Sequence, residues 1–349
     1  MKMREIEYLI VGQGIAGTIL SYRLIKENKS VLVIDQGHHS SASHVAAGVI
    51  NPLVLKRLTM TWRAEEFLET AHNFYPELDH HLSISSFHKT PINKLIQSED
   101  EKSFWDKRWE RVPLKGVVEK ELEDAQLDHT TSPFKKGIVK NTAWVDLKVL
   151  LSSYRSFLEK NELLIEETFD HMDLDCHQYK NISFEKIIFC EGASCVSNPF
   201  FSHLPFSPNK GELITIKSAD LKLNEIYKKK VFVLPLGNDL YRVGATYERE
   251  FEKKYDSQQK REELISSFRS IFNCDFEIID QESGVRPAVM DRRPLLGKHP
   301  LINNFFLFNG LGSRGCLMAP QLSEELISLM EDGIPLKSEE DLNRVNRDN

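Results

Sequence analysis

Residues 6–35 read IEYLIVGQGIAGTILSYRLIKENKSVLVID: an apolar strand, a GxGxxG turn, a helix and a second apolar strand. The strands at 6–11 and 31–35 are unbroken apolar runs, the pattern of strands covered on both faces of a parallel sheet. Ile15, Ile19, Leu20 and Leu24 recur at helical spacing before a polar end at Glu27 and Asn28. In such a β-α-β unit each glycine has a task. Gly12 permits the tight turn, Gly14 lets the backbone approach a pyrophosphate, and Gly17 lets the helix close on the strand. Free amides and the positive end of the helix dipole attract the phosphates. Asp35 ends the second strand, where a carboxylate accepts hydrogen bonds from ribose hydroxyls; a plain turn aspartate is the alternative. The unit alone suits a nicotinamide or a flavin dinucleotide.

The following segment, SSASHVAAGVINPL at 40–53, favours the flavin. Small residues here let the backbone touch the ribityl chain and ring of an extended FAD, which a nicotinamide cofactor does not require. An ordinary Ser/Ala loop is the alternative. A second glycine-rich turn lies in FNGLGSRGCLMAPQLSEELISLM at 308–330, again between a strand and a helix. Its amides and helix dipole can face the pyrimidine edge of a flavin, where negative charge develops on reduction. The two turns then hold opposite parts of one long cofactor. A strand–helix corner that needs glycine only for sterics is the alternative.

Helical spacing returns at 62–75, 146–160, 257–271 and 316–331. Strand-like runs occur in LLIEET, EKIIFC at 185–190, GELITIKS at 211–218, KVFVLPL at 230–236, LYRVGATY at 240–247, FEIIDQES and FFLF. Between about 84 and 140 the charge rises, and short strands alternating with turns are expected. This order predicts an α/β fold: a Rossmann-like FAD-binding domain with a discontinuous α+β substrate domain containing an antiparallel sheet. The expected boundaries are 1–83, 141–205 and 285–349 for the FAD-binding domain, with 84–140 and 206–284 forming the substrate domain. The polar tail KSEEDLNRVNRDN is expected to fray.

The formal net charge of −7 argues against broad nonspecific nucleic-acid binding, and the clusters Lys228–Lys230 and Lys253–Lys254 read as solvated surface. No apolar run reaches the ~18–20 residues of a membrane span. MKMREIEYLIVG lacks a signal-peptide pattern, so a cytoplasmic location is expected. Five widely spaced cysteines without CxxC, and twelve histidines without HExxH, predict reduced thiols and no metal site. Cys190 reads as a core thiol, and the pairs in DHH at 79–81 and GHHS at 37–40 as solvated loop histidines.

GQGIAG, VAAGVINP, GATYER at 244–249, GVRPAVMDRRPLLG at 284–297 and GLGSRGCLMAP at 310–320 occur in one order across nearly the whole chain. Together they resemble the D-amino-acid oxidase/glycine oxidase superfamily of FAD enzymes. GATYER and GSRG are most similar to the oxidase module of the bifunctional enzyme that makes 5-methylaminomethyl-2-thiouridine in tRNA, whose methyltransferase half this chain lacks. The resemblance implies hydride transfer to FAD from the carbon beside the amine of a small amine or N-substituted amino acid. A stand-alone tRNA-modifying oxidase and a catalytically degenerate flavin-binding partner subunit are the alternatives. It further implies that Arg286, in the GxRP position, grips a substrate carboxylate, with Arg314 second. Arg292 and Arg293 are expected to be structural. Tyr241, Arg242 and Tyr247 either line the pocket, or pack in the sheet or lie exposed to solvent. The implied cofactor contacts are Gly12, Gly14, Ile15, Ala16, Gly17, Asp35, Gln36, Ser43, Ala46, Ala47, Gly48, Cys190, Glu191, Gly192, Arg286, Gly310, Gly312, Ser313, Arg314 and Gly315. Some relatives attach FAD through a histidine just before AAG. Val45 occupies that place, with His44 one residue earlier, so noncovalent FAD is expected.

Overall fold

A computed structural model describes residues 3–37, 41–109, 116–132, 134–251 and 256–347. His38, His39, Ser40, Lys253 and Lys254 therefore lie outside the described residues. Arg4–Val11 pairs in parallel with Val31–Asp35 on one side and Ile182–Phe189 on the other. Leu164–Glu166 extends this sheet beyond Val31–Asp35, Phe305–Asn309 extends it beyond Ile182–Phe189, and Leu295–Lys298 adds an antiparallel edge. Alternate residues of the first strand enter different cores. Tyr8 and Ile10 join helices Ile15–Lys26, Ala64–Leu82, Leu147–Lys160 and Gly315–Asp332 on one face. Leu9 and Val11 join Phe184, Phe201, Leu204 and Leu342 on the other. Burial on both faces accounts for the absence of polar alternation in these strands.

A second sheet has eight strands, in the order Glu277–Arg286, Asn209–Lys217, Leu240–Gly244, Phe232–Gly237, Ile226–Lys228, Ile92–Ile96, Lys135–Val139 and Glu123–Asp124. Every pairing is antiparallel except Ile226–Lys228 with Ile92–Ile96, where the two inserted segments meet. Helix Gln258–Arg269 packs Leu264 and Phe268 against Ile214, Ile216 and Val243 on one face. On the other face Ile92, Ile96, Ile226 and Leu234 cluster with Ala47, Leu53 and Leu58, so the sheet lies over the segment that follows the first nucleotide unit. This is the α/β architecture of a parallel nucleotide-type sheet joined to an antiparallel one.

Four local expectations need correction. The helix expected at 62–75 runs from Ala64 to Leu82 through Pro76, and DHH forms its last turn. Asp79 is buried there and accepts from the Ser86 amide (2.8 Å), the Ser86 hydroxyl (2.5 Å) and the Phe87 amide (2.9 Å), while His81 meets the rings of Tyr22 and Phe157. Glu99–Trp109 is a helix inside the stretch expected to hold only strands and turns. Trp105 is its one buried residue, seated over Gly137, so no apolar stripe announced it. Lys228 is partly buried; burial pushes its amine down to about 8, and the amine donates to the Lys230 carbonyl at 2.7 Å. The tail is packed. Leu342 is fully buried in the second core, the Glu340 carbonyl accepts from the Leu296 amide at 2.9 Å, and Glu340 pairs with Arg63 at 2.7 Å.

Among the described residues the five cysteines are free, and no helix is long and apolar enough to cross a membrane. Because Leu342 anchors the tail, Leu342→Ala is expected to lower unfolding stability by about 2–5 kcal/mol. Ile334→Ala, at an exposed position, should stay within about 0.5 kcal/mol of the parent in the same urea titration.

Candidate active site

A cavity of roughly 550 Å³ opens at the carboxyl ends of the central parallel strands, the usual ligand position in open α/β sheets. Its walls come from distant segments: Gly12–Ala16, Ile34–Gly37, residues 41–49, Glu167–His171, Cys190–Ser197 and Phe308–Cys316. The second sheet closes one end with Gly211, Leu213, Phe232, Ala245 and Gly284–Pro287.

The first turn is shaped by backbone contact. Gly12 has φ +102°, and a Cβ there would lie 2.6 Å from the Cys190 carbonyl oxygen. A Cβ on Gly17 would lie 1.9 Å from the Gly12 carbonyl oxygen, so Gly17 packs helix on strand and does not line the cavity. The Ile15 amide, at the start of the helix, donates to the Ser43 hydroxyl at 3.0 Å. The loop expected to meet a flavin therefore already touches the turn expected to meet phosphates. Asp35 lines the cavity but is not a free turn carboxylate. It accepts from the Gln13 amide (2.8 Å), the Gly37 amide (2.8 Å) and the Arg155 guanidinium (3.0 Å).

Most of the predicted contacts meet in this one cavity: Gly12, Gly14, Ile15, Ala16, Asp35, Gln36, Ser43, Ala46, Ala47, Gly48, Cys190, Glu191, Gly192, Arg286, Gly312, Ser313 and Gly315. Gly310 does not line it; a Cβ there would meet Val289, Pro294 and Leu295. Arg314, expected to face the same site, is also absent from the walls and donates to the Thr61 hydroxyl. Burial and the neighbouring Arg292 charge push its pKa down. Arg292 is exposed, while Arg293 lies over the Trp62 ring, 4.7 Å from its centroid.

Arg286 ends the strand Glu277–Arg286 and contributes to the cavity wall. Its guanidinium donates to the Asn209 side-chain oxygen at 2.9 Å and to the Thr246 carbonyl at 3.4 Å. It lies flat against the neighbouring strand, where a Cβ on Gly211 would be 2.0 Å from Nη2. Burial pushes its pKa down, with Tyr247 partly offsetting the shift; it remains cationic at any working pH. Among the described residues no carboxylate pairs with it.

The three candidate pocket residues nearby divide. Tyr241 is buried in the core behind the sheet and donates to the Leu221 carbonyl at 2.5 Å. Arg242 is buried, lies 3.3 Å from Glu282, and donates to the Ala46 carbonyl at 3.5 Å. Tyr247 is exposed. None of the three lines the cavity.

Glu167, Thr168, Phe169, His171, Ser194 and Ser197 line it without having been anticipated. The Thr168 hydroxyl donates to Gln36 at 3.0 Å, and His171 Nε2 lies 2.9 Å from Glu191. A signal existed: LLIEET is a strand beside VLVID, and residues past the carboxyl end of a parallel strand enter the same crevice.

The profile of the DAO family, described as FAD dependent oxidoreductase, matches residues 7–329. The chain is 23% identical over 355 residues to the uncharacterized oxidoreductase YurR of Bacillus subtilis (strain 168), covering 93% of this chain and 94% of that protein. It is 22% identical to the tRNA 5-methylaminomethyl-2-thiouridine biosynthesis bifunctional protein MnmC of Leptospira borgpetersenii (serovar Hardjo-bovis, strain JB197), covering 92% of this chain but 56% of that longer protein. Among solved structures, iminodiacetate oxidase from Chelativorans sp. BNC1 superposes with a TM-score of 0.79 at 20% identity, covering 96% of this chain and 98% of that one.

The walls fit FAD. A helix start, Asp35, a small-residue loop and a second glycine turn all line the cavity, and the volume falls within the ~300–1,000 Å³ of cofactor and ligand sites. Gly12→Ala is expected to purify without bound flavin, because the added methyl group drives the turn off Cys190. Gly116→Ala shares a positive φ, +85°, but meets nothing within 4 Å, and should keep its flavin. The ratio of flavin absorbance to protein absorbance checks both.

Proposed function

We propose, for a chain that belongs to the DAO family of FAD-dependent oxidoreductases, that it oxidises the carbon–nitrogen bond of a small amine bearing a carboxylate, an amino acid or N-substituted amino acid. The observation that carries this reading is Arg286, a cation in the cavity wall held only by neutral oxygens. Other inward-facing arginines meet carboxylates, Arg63 with Glu325 and Glu340, Arg155 with Asp35 and Glu166, Arg242 with Glu282; Arg314, which donates to the Thr61 hydroxyl, also lacks one but stands outside the cavity wall. A guanidinium left without a charged partner beside a cavity is built to receive an anion, and its planar fork matches a carboxylate.

Bound FAD supplies the two-electron acceptor. The protein's contribution is orientation. Asn209 and the Thr246 carbonyl fix the plane of Arg286, and Gly211 leaves room for it against the strand. Leu213, Phe232 and Ala245 give the same end of the cavity an apolar wall that limits water. The second-sheet residues at this end, Gly211, Leu213, Phe232, Ala245 and Gly284–Pro287, include no carboxylate or imidazole to act as a base, which suits a substrate whose amine is already neutral. Val45 occupies the wall where an attaching histidine would stand, and His44 does not line the cavity, in keeping with noncovalent FAD. The names of similar proteins support this chemistry: iminodiacetate is an N-substituted amino acid. The tRNA-modifying relative supports keeping modified nucleosides in any substrate panel.

Anaerobic mixing with glycine derivatives, secondary amino acids and modified nucleosides tests the proposal, since bleaching of the flavin identifies the electron donor without assuming an acceptor. Bleaching by carboxylate-bearing amines is expected; bleaching by none of the panel would overturn it. Arg286→Ala should lower kcat/KM by about 10²-fold or more, the weight of a lost buried charge-assisted pair, with flavin retained. Arg286→Lys should recover part of the loss. Unchanged turnover in Arg286→Ala would remove the anchor.

A further inference from the structure

Arg155 does not line the cavity, yet it reaches the wall through another residue. Nη1 donates to Asp35 Oδ1 at 3.0 Å and to Gln13 Oε1 at 3.3 Å, and Nη2 donates to Glu166 at 2.8 Å. Asp35 and Glu166 are register partners on adjacent parallel strands, so two carboxylates stand side by side at the sheet end. Like charges so placed repel each other, and Arg155 lies between them.

The acceptors of Asp35 can be counted. Oδ1 receives the Gly37 amide at 2.8 Å and Arg155 at 3.0 Å, while Oδ2 receives the Gln13 amide at 2.8 Å. Each carboxylate oxygen offers about two lone-pair sites. Oδ1 is therefore filled, and the remaining acceptor belongs to Oδ2. Gln13 is itself fully buried and tied to the same helix, its side-chain amide donating to the Leu151 carbonyl at 3.1 Å. Helix Leu147–Lys160 thus holds both the first turn and the end of the second strand. Only 12% of the Arg155 side chain and 12% of the Asp35 side chain are exposed, so solvent competes little for this contact.

We propose that Arg155 is a positioning residue for the cofactor's ribose. It fixes the Asp35 carboxylate so that Oδ2 alone remains to accept a ribose hydroxyl, and it compensates the adjacent Glu166 charge. This rests on reading Asp35 as the ribose acceptor in an FAD-dependent enzyme.

The test is titration of flavin-depleted protein with FAD, followed by quenching of flavin fluorescence, in Arg155→Ala, Arg155→Lys, Asp35→Ala and the Arg155→Ala/Asp35→Ala pair. Arg155→Ala should raise the dissociation constant about tenfold, and Arg155→Lys by less. The double variant should bind no more weakly than Asp35→Ala alone, because Arg155 acts through Asp35; a purely structural arginine would add its own loss. Should Arg155→Ala not fold, the lysine variant with and without Asp35→Ala gives the same comparison. Additive losses, or an unchanged constant in Arg155→Ala beside a weakened Asp35→Ala, overturn the positioning role and leave the ribose contact standing. An unchanged constant in Asp35→Ala overturns both.

Discussion

The first turn, the helix behind it and the strand end beside it meet as bare backbone. Gly12, Gly17 and Cys190 approach so closely that no Cβ fits on either glycine. Because the three backbones touch, Arg4–Val11 and Ile182–Phe189 must be neighbours in the sheet. Helix Ile15–Lys26 then leaves the turn with its first residues, Ile15 and Ala16, in the cavity wall. The rest of the cavity is arranged around that end. The loop carrying Ser43 caps it, and the second glycine turn approaches from the other side of Ile15, the side chain that a Cβ on Gly315 would meet at 2.9 Å. Two turns far apart in sequence thus share one residue as a spacer.

The parts of this fold legible in the sequence are those whose burial is periodic or complete. VLVID became the strand Val31–Asp35 without adjustment, and the helices at 146–160, 257–271 and 316–331 shifted by only a residue or two, because each buries a regular stripe or a whole surface. Glu99–Trp109 was not legible because one tryptophan holds it. Its signal was in the ends instead: Ser98 accepts from the Glu101 amide and Glu101 accepts from the Gln97 amide, close to a capping box, with acidic residues in the first turn and Lys107 and Arg108 in the last. The tail's docking is not legible because its composition is polar. A buried leucine, one strand-like carbonyl contact and the ion pairs of Glu340 with Arg63 and Arg344 with Asp291 dock it, and none of these raises the average hydropathy of the segment.

At the site, most of the expected glycines line the cavity, Gly17 and Gly310 excepted, because the warrant for a glycine turn is local. A turn after a strand and before a helix has few uses, and small residues announce close approach. The arginines were harder. Arg286 and Arg314 share motif positions in the resemblance, yet the structure places one in the cavity wall and directs the other to Thr61, a difference decided by packing between turns that no spacing reports. Arg155 offers no motif at all. It is one polar residue on an amphipathic helix, and its importance appears only when the register sets Glu166 beside Asp35. The same holds for the Glu167–His171 wall, which joins the crevice through strand order and not through its own composition.

Charge pairing and place in the cavity wall together set Arg286 apart from the scaffold arginines; Arg314, also without a carboxylate, bonds Thr61 outside that wall. A chain with more acids than bases has carboxylates to spare, and it spends them on Arg23, Arg63, Arg155, Arg242 and Arg344, each within ion-pair distance of one. Arg286 instead receives an amide oxygen and a backbone carbonyl. Neutral acceptors orient a guanidinium and offset part of its desolvation, but they do not cancel its charge. A carboxylate at Asn209 would hold the same side chain more tightly and would compete with an incoming anion for it. The asparagine therefore matters as much as the arginine: it supplies rigidity while leaving the attraction for a ligand intact.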